Sequence, residues 1–189
     1  IAYGPHQLSI RTATGARTVN GLTFHVRGGA YNPPLFEVGP GKPYSTIQSA
    51  IDAAAGYADP ANPTAPVNGL VVVYPGFTQT FTNPMGIWFE NPVIYSPVKL
   101  QGVGAGGVYT DGTAILGTVL DGRAYGGDTP YTGVWRTLVG DIWLNRGGWG
   151  GSLVDGKNEP IIYEGQVVTV LAEDGEFTSA FPATIDGFT

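Results

Sequence analysis

The chemistry open to this chain is limited first by the side chains that are absent or rare. Its 189 residues include no cysteine and two histidines, His6 and His25. Without cysteine there is no thiol nucleophile, no disulfide and no thiolate ligand for a metal. A zinc site built on the two histidines would need a third ligand, and none is evident near them in the sequence. We therefore interpret both histidines as surface residues of strands.

A segment rich in glycine and aromatic residues, 122–156, offers a different chemistry. It holds ten glycines and the five side chains Tyr125, Tyr131, Trp135, Trp143 and Trp149. An exposed aromatic ring presents an apolar, polarisable face on which the C–H groups of a sugar can stack. The segment therefore predicts a carbohydrate-binding insertion. Two alternatives stay open: the rings pack the segment onto the rest of the chain, or they contact another subunit.

Aspartate followed by glycine is a repeated pair in this sequence, and it indicates turns at the ends of strands. The five pairs begin at Asp111, Asp121, Asp155, Asp174 and Asp186. Two of these pairs stand at the end of similar four-residue runs, Val119-Leu120-Asp121-Gly122 and Thr184-Ile185-Asp186-Gly187. If these runs occupy equivalent positions of successive strands, the two carboxylates stack.

The composition bounds the fold that must position these residues. The chain has 30 Gly and 15 Pro, with 42% hydrophobic, 12% aromatic and 13% charged residues. These values favour a turn-rich, mostly β protein with a packed core, and they exclude a helical bundle or a coiled coil. No apolar run is long enough to span a membrane. The net charge of −6 and the lack of a basic stripe argue against nucleic acid as a partner.

Residues 6–27 predict a β-hairpin, because apolar and polar residues alternate on both sides of the turn Thr14-Gly15-Ala16. The runs Gly4-Pro5-His6-Gln7-Leu8-Ser9-Ile10 and Val19-Asn20-Gly21-Leu22-Thr23-Phe24-His25-Val26 resemble the last two strands of an IPT/TIG immunoglobulin-like domain. The resemblance implies that residues 1–28 are the C-terminal strands of such a domain. Residues 29–43, rich in Gly and Pro, are predicted to be a linker.

A short helix is predicted at residues 45–55. Its apolar stripe has the spacing i, i+3, i+4, i+7 and consists of Ile47, Ala50, Ile51 and Ala54. Ser45 with Gln48 fits a capping box, and Thr46 is an alternative cap. The following run, Leu70-Val71-Val72-Val73-Tyr74, is apolar without alternation, which favours burial on both faces or parallel pairing.

A second resemblance, to the opening of the right-handed parallel β-helix known as the pectin-lyase-like fold, is carried by three runs. They are Tyr44-Ser45-Thr46-Ile47-Gln48-Ser49-Ala50-Ile51-Asp52-Ala53-Ala54, Val71-Val72-Val73-Tyr74-Pro75-Gly76 and Pro92-Val93-Ile94-Tyr95-Ser96-Pro97-Val98-Lys99-Leu100-Gln101-Gly102-Val103-Gly104. We therefore predict an all-β chain with one short capping helix: the start of a right-handed parallel β-helix over 44–189, preceded by an Ig-like β-hairpin remnant. The aromatic segment would be an insertion at about 122–158.

The resemblance also implies roles for the aspartates. Polysaccharide lyases of this fold hold calcium with stacked aspartates and use Arg or Lys as the base, and glycosidases of this fold use clustered Asp pairs. Asp121 and Asp186 are therefore candidate calcium ligands, and no other cofactor is expected. No catalytic residue is assigned, because the catalytic residues of such enzymes usually lie on middle coils.

These observations predict a fragment of a large secreted or cell-surface bacterial protein, cut at Ile1 and at Thr189. Our first functional hypothesis is a structural and binding module that associates with polysaccharide or with copies of itself. Further coils of the same protein or a neighbouring copy would cover its C-terminal edge. The alternatives are a polysaccharide lyase or glycosidase with catalytic coils beyond Thr189, and an extracellular filament subunit.

Overall fold

A computed structural model describes residues 1–16, 22–56, 68–76, 86–122, 130–146, 167–172, 175 and 177–189. The elements in chain order are β1 (Gly4–Gln7), β2 (Thr23–Val26), β3 (Leu35–Val38), α1 (Ile47–Ala55), β4 (Gly69–Val73), β5 (Ile87–Trp88), β6 (Val93–Ile94), β7 (Val98–Gly102), β8 (Gly107–Val108), β9 (Ala114–Ile115), β10 (Val119–Leu120), α2 (Pro130–Asp141), a π-helical turn (Ile142–Arg146), β11 (Thr169–Val170) and β12 (Thr184–Asp186).

The largest sheet has four parallel strands in the order β12-β7-β4-β3. Two further parallel ladders pair β5 with β10 and β6 with β11. One row of the large sheet, in register across all four strands, consists of Phe36, Val71, Leu100 and Ile185. The first three of these side chains belong to the buried core. The parallel pairing predicted for the apolar run at Leu70 is confirmed.

Helix α1 begins after Thr46, whose hydroxyl accepts a hydrogen bond from the Ser49 N–H and so makes Thr46 the N-cap. The predicted apolar stripe is confirmed, since its members are the buried residues of the helix: Ile47, Ala50, Ile51 and Ala54. The stripe packs in the same core as the sheet and contacts β3 and β4. The helix thereby covers the core-facing side of these strands.

The prediction of an all-β chain with one short capping helix is wrong. A second helix, α2, spans Pro130–Asp141 and continues into the π-helical turn Ile142–Arg146. Proline is well tolerated in the first turn of a helix. The side chains that pack in the core follow helical spacing: Trp135, Leu138, Val139, Ile142 and Trp143. Glycines at 133 and 140 obscured this stripe, because glycine lowers helix propensity.

The fold is therefore mixed. Besides the parallel ladders, β1 pairs with β2 and β8 pairs with β9 in antiparallel hairpins. The predicted fold class, the start of a right-handed parallel β-helix with an Ig-like hairpin remnant, is replaced by several small parallel and antiparallel sheets with two helices. In the described part of the chain, no helix combines the length and apolar character needed to cross a membrane.

The N-terminal strands do pair in antiparallel fashion, as expected from their alternation, with Gly4 opposite Val26 and Gln7 opposite Thr23. The segment predicted as a linker, 29–43, contributes β3 to the large sheet. Leu35–Val38 pair with Leu70–Val73 in parallel, so this part of the segment is an integral strand. A four-residue strand between glycine- and proline-rich turns gives a weak sequence signal, which is why composition alone suggested a linker.

Candidate functional site

Each parallel ladder ends in edge strands, and two of these, β12 and β11, expose an apolar residue whose register partner is buried. Ile185 of β12 is in register with Leu100, yet it is 46% exposed, whereas Leu100 is 1% exposed. Val170 of β11 is 49% exposed, although its register partner Ile94 is fully buried. Apolar positions that face the core in one strand are thus open to solvent in the next. We call these two edge strands, with the exposed side chains of Ile185 and Val170, the open edge.

The opposite side of the large sheet carries a polar cluster beside the β1–β2 hairpin. Lys99 of β7 is in register with Leu70 and with Thr184, and Asp186 is in register with Gln101. The hairpin is anchored here, since the Thr23 N–H donates to Asp186 Oδ2 at 2.9 Å. The other carboxylate oxygen accepts from the Gly187 N–H at 2.7 Å. Asp186 therefore links the hairpin to the edge strand.

His25 and Tyr31 form the hairpin side of this cluster. Their rings are stacked with centroids 6.0 Å apart, and His25 Nδ1 lies 2.6 Å from Tyr31 Oη. Burial is the largest cause that lowers the pKa of His25 below its usual value. The charge of Lys99 lowers it further, while a hydrogen bond with Gln101 and the charge of Asp186 oppose the change. The site thus favours a neutral imidazole at neutral pH.

This shift predicts that acid weakens the docking of the hairpin. The pKa of His25 is lower in the folded chain than its ordinary value of about 6.5. The contribution of the neutral imidazole to docking is therefore complete at pH values above that ordinary pKa. That stability is lost as the pH falls through the folded pKa. The protection of the amides at residues 22–26, measured as their hydrogen exchange relative to the intrinsic rate at each pH, is therefore expected to fall on acidification.

The control for this prediction is His25→Gln, which is neutral at every pH and can still form hydrogen bonds. In this variant the protection of the amides at residues 22–26 is expected not to fall in acid. An identical fall in both proteins would show that another group, and not His25, controls the docking of the hairpin.

Lys99 approaches the same cluster from the sheet. Its Nζ donates to the backbone carbonyl of Asn68 at 3.5 Å and lies 5.8 Å from the centroid of the Tyr31 ring. Burial lowers the pKa of Lys99. The described ion pairs involve Lys42 and Arg146 and do not include Lys99. The cluster thus holds a half-buried ammonium that has no close acidic partner among the described residues.

The predicted carbohydrate-binding residues occupy different surroundings. Trp135 is 4% exposed and lies in the core, and Trp143 is partly buried and packs against it. This placement favours the packing alternative for these two rings. Tyr131 belongs to α2, but its side chain, like the whole of Tyr125 and Trp149, lies outside the described residues. Carbohydrate binding by this segment stays a prediction.

The two candidate calcium ligands do not occupy equivalent positions. Asp121 follows β10, and its N–H donates to the Trp88 carbonyl at 2.8 Å in the β5–β10 ladder. Asp186 lies in β12 of the large sheet, in register with Gln101. The condition for stacking is therefore not met. Among the described residues, no group of three or more His, Asp or Glu side chains is placed to hold a metal ion.

A polar network on the outside of α1 was missed by the sequence analysis. Asp52 accepts hydrogen bonds from Gln48, from Tyr95 Oη at 3.1 Å and from Arg146 Nη1 at 2.5 Å. Burial and the carboxylate of Asp52 raise the pKa of Tyr95 to about 12. Arg146 also pairs with Asp141 at 2.6 Å. The partners are far apart in sequence, so no local pattern indicates this link between α1 and the π-helical turn.

Comparisons of the chain with models of protein families, with curated proteins and with solved structures gave no match. The resemblances described above therefore rest on the quoted runs of residues alone.

Proposed function

We propose that this chain is a structural and binding module that associates, through its open edge, with the open edge of a second copy. The observation that carries the proposal is the exposure of Ile185, which continues a buried row of the core. Burying apolar surface is the main favourable term in protein association. An unpaired strand edge adds a row of backbone donors and acceptors that a neighbouring strand can satisfy.

The pairing is expected to be two-fold. The row that Ile185 continues ends at β3 in Phe36, which is 6% exposed, so that end of the sheet offers no matching apolar surface for head-to-tail stacking. Two open edges can instead meet through a two-fold axis, which places β12 of each copy antiparallel to its counterpart. Ile185 and Val170 would then be covered by the partner. Polysaccharide as a further partner, and a location outside the cell, stay predictions from the sequence.

Ile185→Lys is the direct test of this proposal. A charge in the centre of the open edge must be desolvated on association, so we expect the dissociation constant of the dimer to rise by at least about tenfold, which corresponds to about 1.4 kcal/mol. Sedimentation velocity over a wide range of protein concentrations measures this constant. Because Ile185 is about half exposed, the folded monomer should tolerate the change.

Val108→Lys is the matched control, since Val108 is an exposed strand residue in the separate β8–β9 hairpin. This variant is expected to associate as the unmodified chain does. A chain that stays monomeric at all concentrations would refute the proposal. So would an Ile185→Lys variant that associates with unchanged affinity.

A further inference from the structure

Lys99 differs from Lys42 and Arg146, which pair with carboxylates, and from Arg27, which is exposed and donates to the Pro33 carbonyl. Lys42 lies 2.8 Å from Glu37, and Arg146 pairs with Asp52 and with Asp141. Lys99 instead has a carbonyl oxygen at 3.5 Å and the Tyr31 ring at 5.8 Å as its described neighbours. A half-buried charge that lacks an opposite charge costs free energy, and an anion supplied from outside would offset that cost.

The donors of Lys99 are also largely unused. An ammonium group has three N–H donors, and the described contacts include one long hydrogen bond, to the backbone of Asn68. Thr184 stands beside Lys99 in the register of the sheet and is exposed. Its hydroxyl can donate one more hydrogen bond on the same side of the sheet. The two residues thus offer one positive and one neutral donor to an acceptor group.

The charge of the neighbours limits what such a ligand can be. Asp186 carries a negative charge that is held by the N–H groups of Thr23 and Gly187. His25, stacked on Tyr31, is favoured in its neutral form at neutral pH. Lys99 thus supplies the one positive charge of this cluster, and the N–H groups hold the carboxylate of Asp186 without cancelling its charge. A monoanion fits this balance, whereas a dianionic phosphate does not.

We propose that Lys99, together with Thr184, binds a carboxylate monoanion on the hairpin side of the large sheet. A carboxylate presents two acceptor oxygens, which match the ammonium and the hydroxyl, and charge-assisted hydrogen bonds of this kind are strong. This binding site is separate from the open edge and goes beyond the proposed self-association. The carboxylate is supplied either by a simple organic acid or by an acidic sugar.

The test is a titration of the whole chain with sodium acetate, sodium glucuronate, glucose and sodium phosphate, followed by NMR of the Lys99 side chain. Acetate or glucuronate is expected to bind saturably and to raise the pKa of Lys99, because an anion stabilises the ammonium. Saturation by acetate and glucuronate alike indicates recognition of the carboxylate itself. Saturation by glucuronate alone indicates an acidic sugar. Either result supports the proposal.

Lys99→Met keeps the apolar stem and removes the charge, and it is expected to weaken carboxylate binding by about tenfold or more. Lys42→Met is the matched control, because Lys42 already has Glu37 as its partner, and it should bind as the unmodified chain does. Absence of saturable binding by both carboxylates would overturn the proposal, as would equal affinity in Lys99→Met. Tighter binding of phosphate or glucose than of either carboxylate would overturn it too.

Discussion

Replacement of Trp135 by alanine is expected to lower the free energy of unfolding by about 3–5 kcal/mol, the range found for truncating large buried aromatic residues. Trp135 is 4% exposed and packs in the core cluster that also contains Val139 and Ile142. Removing the indole loses its buried apolar area and leaves a cavity beside α2. Since domains are stable by about 5–15 kcal/mol, this is a large share of the total. Urea denaturation measures the change.

Tyr109→Ala is the matched control, because Tyr109 is an aromatic residue that is largely exposed in the β8–β9 hairpin. It is expected to change the free energy of unfolding by at most about 0.5 kcal/mol. If Trp135→Ala instead kept full stability and lost retention on a glycan column, Trp135 would be a sugar-binding residue and α2 would not pack in the core as described. The experiment thus separates the packing and the carbohydrate-binding interpretations of the aromatic segment.

The elements that depend on residues close together in the sequence could be predicted from local patterns. The stripe of α1 and the apolar run of β4 both follow from the spacing of neighbouring residues, and both are found as expected. Helix α2 has an equally regular stripe, but the many glycines and aromatic residues around it are typical of a loop. In the segment from Pro130 to Asp141, composition and periodicity thus predict different structures, and the structure agrees with the periodicity.

The polar cluster and the open edge could not be predicted in the same way. Thr23 and Asp186, which join the hairpin to β12, are 163 residues apart in sequence. The importance of Lys99 depends on which groups surround its ammonium, and that follows from the register of β7 with β4 and β12. The similar runs that end in Asp121 and Asp186 suggested that these carboxylates stack, but the registers place them in separate ladders. Register is a property of the whole assembly of strands.

Glu90 lies far from α1 in the sequence, and its side chain contacts the N-terminus of that helix. Its carboxylate accepts hydrogen bonds from the Ile47 N–H at 2.9 Å and from the Gln48 N–H at 3.3 Å. These donors have no partner within the helix, because the first turn of any helix leaves its N–H groups unsatisfied. We expect Glu90→Ala to lower the free energy of unfolding by about 1–3 kcal/mol at pH 7, the cost of leaving such donors without an acceptor.

The pH dependence of this contact has a definite sign. Burial raises the pKa of Glu90, and the hydrogen bonds from Ile47 and Gln48 oppose this increase without cancelling it. The folded chain therefore holds the proton more tightly than the unfolded chain does. The proton-linked part of its contribution to stability is complete below the ordinary glutamate pKa and declines as the pH rises through the folded pKa, while the carboxylate continues to accept the two hydrogen bonds. Glu90→Gln keeps an acceptor oxygen and should not show this decline.

Glu37 provides the opposite case on the same protein. Hydrogen bonds from Lys42 and Tyr74 lower the pKa of Glu37, so its contribution is present above the ordinary glutamate pKa and is lost as the pH falls through the folded pKa. Urea denaturation of Glu90→Gln and Glu37→Gln across the acid range should therefore give differences from the unmodified chain that change in opposite directions. If the two differences follow the same course, Glu90 is solvated, and desolvation of its carboxylate does not govern the N-terminus of α1.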